Sequence, residues 1–430
     1  MSKRRTVTVR SAIALGIGSM VGAGIFALLG EAAALAGSAV WISFLLAGVI
    51  ALLTGYSFVQ MGIRFPSRGG IVEYLVQGYG PGLFSGSCSI LFYIAQLIGM
   101  SMIALAFGKY SARLAGLEDH VSLYQGIFGS GLIVSLTALQ LVGSRLIGGI
   151  QRIIVISNLV LLSAVAIGLS TFADPARVAI TTWPSTMPIL GSLALTFFAF
   201  TGFAVICNSV EDMKDPGRDL PRAMYATICI VIVLYLGLAF AAILAVDHEQ
   251  LVSSGPLLLV EAARVAFGES GFTLLLISAV VACVTCVNGG LYGATRITYA
   301  LAEKGQIPKR FGREIRASTR GLTISAAAAI IMLNLMDLAT IAALGSATSL
   351  LVYFLVNLGA LRVIGGSALN RLVILLSVLA CLFAIVVWII YTVKYSPTSL
   401  RIFACFVLAA LFAEGLMQRL SGRKVEVEHR

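Results

Sequence analysis

Apolar runs of roughly 20 residues or more, parted by short polar interruptions, follow one another along nearly the whole chain. Twelve can be counted, at about residues 11–36, 39–63, 82–115, 121–142, 150–172, 188–210, 222–246, 271–300, 321–336, 337–364, 369–394 and 398–419. All but the ninth, which is shorter, are long enough for an α-helix to cross a hydrocarbon core of ~30 Å. None shows the ~10-residue alternation of a barrel strand. The pattern predicts an all-α polytopic membrane protein with about twelve transmembrane helices. The ninth and tenth runs abut at Asp337, which predicts a tight turn there. Two interruptions carry patterns of their own. Arg64–Pro81 reads RFPSRGGIVEYLVQGYGP. Its Pro66, Gly69, Gly70, Gly78 and Gly80 mark irregular backbone, while apolar Ile71–Val76 suits a short re-entrant or interfacial helix. Gly255–Gly268 is amphipathic and predicts a helix lying over the opposite surface.

Composition strengthens this picture. Hydrophobic residues make up 59% of the chain and charged residues only 11%, against about 25% charged in soluble domains. A lipid bilayer is the surroundings such a surface requires. The net charge of +11 invites a nucleic-acid reading, but its distribution argues against one. With an even number of spans, 24 of the 30 Lys and Arg residues fall on one side of the membrane. That is the positive-inside asymmetry. It predicts cytoplasmic termini (residues 1–10 and 420–430) in a plasma or inner membrane protein. The first run follows Lys3, Arg4, Arg5 and Arg10. It is too long and too rich in glycine for a signal peptide, and is expected to be a retained helix.

Covalent chemistry finds little support. The seven cysteines are scattered, and Cys283–Cys286 is a lone CxxC inside a run; a structural zinc site needs four ligands. His120, His248 and His429 lie in loops or the tail, so no metal and no cofactor are expected. The informative features are two interruptions inside runs. The first run contains Gly16, Gly18, Gly22 and Gly24 within GIGSMVGAGIF, and the sixth contains FFAFTGF at 197–203. Breaks in helices five apart point to two inverted repeats of five helices with a binding site between them. Unwinding a helix in the membrane frees N–H and C=O groups, at several kcal/mol per unsatisfied group. A carboxylate can accept from the N–H groups at a half-helix N-terminus, and an ammonium can donate to the freed carbonyls. A zwitterionic amino acid satisfies both. The spacing Gly18-xxx-Gly22 equally suits close helix packing.

These segments resemble the amino acid–polyamine–organocation (APC) superfamily. GSMVGAGIF at 18–26 is similar to its first-helix signature. FFAFTGF, followed by Glu211, Asp212, Pro216, Arg218 and Pro221, is similar to its sixth helix and the loop after it. The FPSRGG loop and Tyr299–Ala302 with Gly305 and Pro308 match two further pieces. The resemblance covers roughly residues 10–365. It implies a leucine-transporter-type 5+5 fold: repeats at 11–172 and 188–364, and two extra helices at 369–419. It further implies that N–H groups of Ala23, Gly24 and Ile25 meet the substrate carboxylate, and that carbonyls of Met20, Phe198 and Thr201 meet its ammonium. Gly22 and Gly202 belong to the same substrate-binding segments. Phe198 is then an aromatic gate; the alternative is lipid-facing packing.

The departures from the family pattern carry information. Members that transport cationic substrates can have a Glu where this chain has Ala204, and a Trp where it has Gly290. A cationic side chain would lack a buried partner, so a neutral, apolar amino acid is expected. Many sodium-independent members have a lysine where Asn158 stands, and Asn cannot cycle a proton. Three couplings follow: sodium at Asn158 with Thr285, a proton carried elsewhere with Glu31 the better candidate, or exchange. For Asn158 an interhelical hydrogen bond is the alternative, and for Glu31 snorkelling to the interface. Gln60 replaces a frequent Glu. Glu73 either pairs with Arg64 or Arg68 at an inner gate or is a solvated surface residue. Glu414 is a second carboxylate inside an apolar run. The expected function is secondary transport of amino acids by alternating access, not enzymatic catalysis. A cationic amino acid or polyamine carrier is one alternative, and an amino-acid-binding membrane sensor another.

Overall fold

The computed structural model describes residues 7–22, 24–67, 69–117, 120–142, 147–172, 174–303 and 319–421. These residues are almost entirely helical. Among them no strand forms, only an isolated bridge between Val7 and Met213. The helices are α1 (Val9–Val21), α2 (Gly24–Ala36), α3 (Val40–Arg64), α4 (Ile71–Tyr79), α5 (Leu83–Leu114), α6 (Val121–Val142), α7 (Ile147–Ser170), α8 (Thr186–Phe200), α9 (Pro216–Ala245), α10 (His248–Ser253), α11 (Leu258–Glu303), α12 (Thr319–Leu335), α13 (Leu338–Val363), α14 (Ala368–Tyr395) and α15 (Pro397–Ser421). Among the described residues ten stretches are long and apolar enough to cross a membrane. The first of them, Val9–Arg64, runs through α1, α2 and α3, and Gly321–Leu335 is a further, shorter apolar helix. Rows of exposed Leu, Ile, Val and Phe on α7, α14 and α15 give the bundle an apolar outer surface. Water would penalise that surface and lipid does not.

The local chemistry explains where elements start. Asp337 caps α13 by accepting from the N–H of Thr340 at 2.7 Å, making the tight turn expected between the ninth and tenth runs. Ser367 caps α14 in the same way through the N–H of Asn370. Pro216 opens α9 at a position where no N–H is needed, so α9 begins about a turn and a half before the expected 222.

Both short helices form. In α4 every residue from Ile71 to Val76 is buried, and the helix packs against α5, α13 and residues 201–212. It is therefore a core element rather than an interfacial one. After α9 and α10, the chain makes a helix from Leu258 that ends at Gly268, where φ +63° and ψ −157° interrupt α11. Leu258, Leu259, Val260, Ala262 and Ala263 are buried. The outer face carries Glu261 and Arg264, ion-paired at 3.0 Å, with Arg113 reaching Glu261 at 3.6 Å.

The two interior breaks differ from each other. The first span is interrupted between Val21 and Gly24, where α1 gives way to α2. The sixth does not unwind: at Thr201 it changes from α to a 3₁₀-helix that runs twelve residues to Asp212. Runs longer than 3–4 residues are uncommon for 3₁₀ geometry, and a stretch inside a helix often marks a hinge.

Gly268 has a backbone conformation that only glycine adopts freely, and a Cβ there would meet nothing within 4 Å. Gly268→Ala should therefore destabilise through backbone strain alone, by ~1–3 kcal/mol. Gly237, in α9 with equally open surroundings, should accept Ala with no loss or a gain of up to ~1 kcal/mol. Thermal unfolding in detergent checks both, and equal melting temperatures for Gly268→Ala and the parent would contradict the strain argument.

Candidate substrate site

The two breaks lie against each other because glycines let backbones touch. A Cβ on Gly202 would stand 2.7 Å from the carbonyl oxygen of Ser19 and 2.8 Å from the amide nitrogen of Met20. A Cβ on Gly24 would stand 2.7 Å from the carbonyl oxygen of Ala199, and one on Gly22 the same distance from that of Ala282 in α11. So the end of α1, the start of α2, the end of α8 and the middle of α11 meet at one place. The packing reading of the glycine spacing and the site reading describe the same contacts.

The freed carbonyls have hydroxyl and thiol donors. Tyr235 Oη, from α9, donates to the Met20 carbonyl at 2.7 Å and stands 3.3 Å from that of Ala199. Thr201 Oγ1 donates to the Phe198 carbonyl at 2.8 Å. Tyr353 Oη, from α13, donates to the Thr201 carbonyl at 2.7 Å. Cys286 Sγ, from α11, donates to the Gly18 carbonyl at 2.9 Å. Of the three carbonyls expected to meet an ammonium, Phe198 already accepts from both the N–H and the Oγ1 of Thr201, and Thr201 accepts from Tyr353 while opening the 3₁₀ segment. Met20 accepts from Tyr235, and with two lone pairs it retains one acceptor position. On the donor side, Gly24 and Ile25 are the first residues of α2 and have no intrahelical partner for their N–H groups. Ala23 lies outside the described residues.

Phe198 is 7% exposed and points into the bundle, so lipid-facing packing does not describe it. Its Cζ would be 2.6 Å from a Cβ on Gly345 of α13 and 3.5 Å from one on Gly99 of α5. The ring thus fits because position 345 is glycine, whereas a methyl group at position 99 would make an ordinary contact. Ala204 is buried in the 3₁₀ segment. The space at Gly290 is bounded by Met100 of α5, whose Cβ lies 3.5 Å from the place of a Gly290 Cβ.

The coupling candidates are not brought to one point. Asn158 of α7 is buried and accepts a hydrogen bond from Ser278 of α11, which is the interhelical bond of the alternative reading. Thr285 donates to Ala282 within its own helix at 2.8 Å. It stands seven residues beyond Ser278, about 10 Å along the axis. Glu31 is half-buried on α2; its Oε1 and Lys109 Nζ of α5 flank Gly255, at 3.5 and 3.9 Å from the place of a Cβ there. Glu73 is buried and accepts from Gln77 Nε2 at 2.8 Å, so it is not a solvated surface residue. Of its two expected partners, Arg68 lies outside the described residues. Glu414 is fully buried against Gly86 of α5 and accepts from Gln418 at 2.9 Å. Among the described residues no three His, Cys, Asp or Glu side chains gather where a metal could bind.

The sequence marks Cys286 only as half of the CxxC and marks neither Tyr235 nor Tyr353. A tyrosine inside an apolar run signals a hydroxyl that must find a partner, but its partner is set only by the packing of helices far apart in the chain.

Comparison with known proteins places the chain in a family. Residues 7–412 match the family model described as amino acid permease. The chain is 30% identical over 355 residues to Inner membrane transport protein YbaT of Escherichia coli (strain K12), covering 81% of this chain and 82% of that protein. It is 27% identical over 310 residues to Serine/threonine exchanger SteT of Bacillus subtilis (strain 168), covering 71% and 70%. It is 28% identical over 328 residues to the chloroplastic Cationic amino acid transporter 9 of Arabidopsis thaliana, covering 70% and 56%. The chain belongs to the amino acid permease family and is a multi-pass membrane protein of transporter type.

Proposed function

We propose that this protein is a secondary transporter that moves neutral amino acids across a cell membrane by alternating access. The observation that carries the reading is the pair of opposed helix breaks. Gly24 and Ile25 open α2 with N–H groups that have no partner in the helix, and the Met20 carbonyl close by keeps one lone pair beside its bond from Tyr235. That set of donors and acceptors matches the carboxylate and ammonium of an amino acid.

The architecture in this reading has twelve spans. The stretch Val9–Arg64 supplies two, and the shorter α12 supplies one beyond the other long stretches. Two five-helix repeats (11–172 and 188–364) precede two extra spans (369–419). The repeats share a plan that supports them: each opens on an interrupted span, and each places a short helix after its second span, α4 in one and residues 258–267 in the other. Lys and Arg asymmetry puts α4 and both termini on the cytoplasmic side.

Neutral substrate follows from Ala204 and from the uncharged neighbours of Phe198 (Gly99 and Gly345) and of Gly290 (Met100), which supply no carboxylate. Separation of Thr285 along α11 from Ser278, the partner of Asn158, disfavours one sodium ion held by both Asn158 and Thr285, and with it supports exchange; the relative from Bacillus subtilis is named as an exchanger. Glu31, beside Lys109, is the residue to examine for a proton-coupled variant.

A thermal-shift panel of the detergent-purified protein against the twenty amino acids and common polyamines, with and without sodium, tests the reading. A neutral amino acid at 100 times its Kd should stabilise by ~2.7 kcal/mol, with or without sodium. Stabilisation by arginine or polyamines alone would overturn the neutral assignment, and a sodium requirement would overturn exchange.

Gly290 tests the pocket. Gly24 is unsuitable because any side chain there strikes Ala199 whether or not substrate binds. Gly290 meets only Met100, at ordinary contact distance, so Gly290→Val should fold. It should lower uptake of L-leucine by ~10–200-fold relative to L-alanine, the range that one or two methylenes command in a tight apolar pocket. Unchanged discrimination between the two would remove Gly290 from the site.

A further inference from the structure

Four spans converge on a single tyrosine. Tyr235 is fully buried in α9. Its ring sits edge-on to Phe44 of α3 at 5.6 Å and tilted against Phe200, the last residue of α8, at 5.1 Å. Its Oη donates to Met20 in the last turn of α1 at 2.7 Å and reaches Ala199 of α8 at 3.3 Å. A Cβ on Gly24, the first residue of α2, would fall against the same oxygen. A phenol has one proton. The shorter bond to Met20 therefore takes most of it and Ala199 receives the weaker branch.

These contacts differ in kind from the other donors at the breaks. Under the transporter reading, on which this inference rests, spans one, two, six and seven form the moving bundle, and α1, α2, α3, α8 and α9 are those spans. The Tyr235 contacts all lie inside that bundle. Tyr353 of α13 and Cys286 of α11 reach the breaks from outside it, so relative motion must make and unmake their bonds. The Tyr235 bond can persist through the whole cycle.

We propose that Tyr235 is a positioning residue for transport. Its hydroxyl ties the Met20 carbonyl to that of Ala199, holding the two breaks in one mutual geometry. It occupies one lone pair of Met20 and so keeps the other aimed at the substrate ammonium. Without that proton the Met20 peptide loses its only side-chain donor in a dry interior, and the plane of the peptide is free to tilt away from the substrate. The loss falls on binding rather than on the rocking step, because no bundle-to-scaffold bond is removed.

The test compares Tyr, Phe and p-aminophenylalanine at position 235 in proteoliposomes, following uptake of labelled L-alanine, L-serine, L-threonine and L-leucine, with melting temperatures measured in parallel. Tyr235→Phe should raise KM about tenfold, as expected for one buried hydrogen bond, with the maximal rate within about twofold. The aniline, a weaker donor of the same shape, should fall between the two. If Tyr235→Phe fails to fold, the aniline variant decides: a KM above that of the parent supports the proposal, and one equal to it overturns it. A KM unmoved in Tyr235→Phe, with only the melting temperature lowered, would show that the ring merely packs and would overturn this inference alone. No uptake of any of the four by the parent protein would overturn the transporter reading and this inference together.

Discussion

A peptide carbonyl left without a donor in hydrocarbon costs several kcal/mol, and this chain risks that cost where one helix is interrupted and another changes its winding in the same region. Much of the packing near these breaks answers to it. Tyr235, Tyr353, Thr201 and Cys286 each bring a proton to one carbonyl there. Glycine at 22, 24 and 202 lets the broken ends approach until backbone meets backbone. Neither device works alone. Without the glycines the donors could not reach, and without the donors the close approach would bury bare acceptors.

The same economy of polar groups sets the position of the other helices. Apolar side chains do not distinguish a helix neighbour from a lipid chain, so packing of small residues and interhelical hydrogen bonds define the register. Ser43 of α3 bonds to the Ile189 carbonyl and to Ser192 of α8, and Thr196 donates to the Ser43 carbonyl. Ser57 meets Ser377 of α14, and Tyr93 of α5 meets Ser325 of α12. Asn158 and Ser278 do the same for α7 and α11. A hydroxyl in a span is thus a structural statement first. Asn158 shows why a polar residue at a position of interest does not by itself identify an ion site.

What could be read from the sequence was whatever depends on local period and on residues close in the chain. The apolar runs give the spans, Asp337 gives the turn before α13, and Gly70, Gly80 and Gly268 bound the two short helices. The break at Gly22–Gly24 was legible from four glycines in one span, although their spacing suited close helix packing equally well. The partners were not. That Tyr235 serves Met20, 215 positions away, follows from the packing of α9 on α1 and from nothing near either residue. Likewise Met100 bounding the room at Gly290, and Gly345 admitting Phe198, join helices whose facing surfaces look alike in composition.

The 3₁₀ segment after Thr201 was illegible for a further reason. Its residues, TGFAVICNSVED, are weak α-helix formers apart from Ala204 and Glu211, but nothing local to them prescribes twelve residues of the tighter winding. The explanation lies at its ends. Tyr353 holds the Thr201 carbonyl, Arg296 of α11 holds that of Asn208 at 3.0 Å, and the N–H of Val7 holds that of Asp212 at 3.1 Å. Twelve residues reach ~24 Å as a 3₁₀-helix and ~18 Å as an α-helix, so the pinned segment spans about 6 Å more than its preferred form would. Stretching is maintained by bonds to α11, α13 and the residues before α1, not by the segment itself. Tertiary contacts override a weak local preference here, and they do so in the half of the sixth span that continues directly from the break. The geometry of the break at Phe200–Thr201 is therefore coupled to contacts at the far end of the segment, eleven residues away, through the only element that joins them.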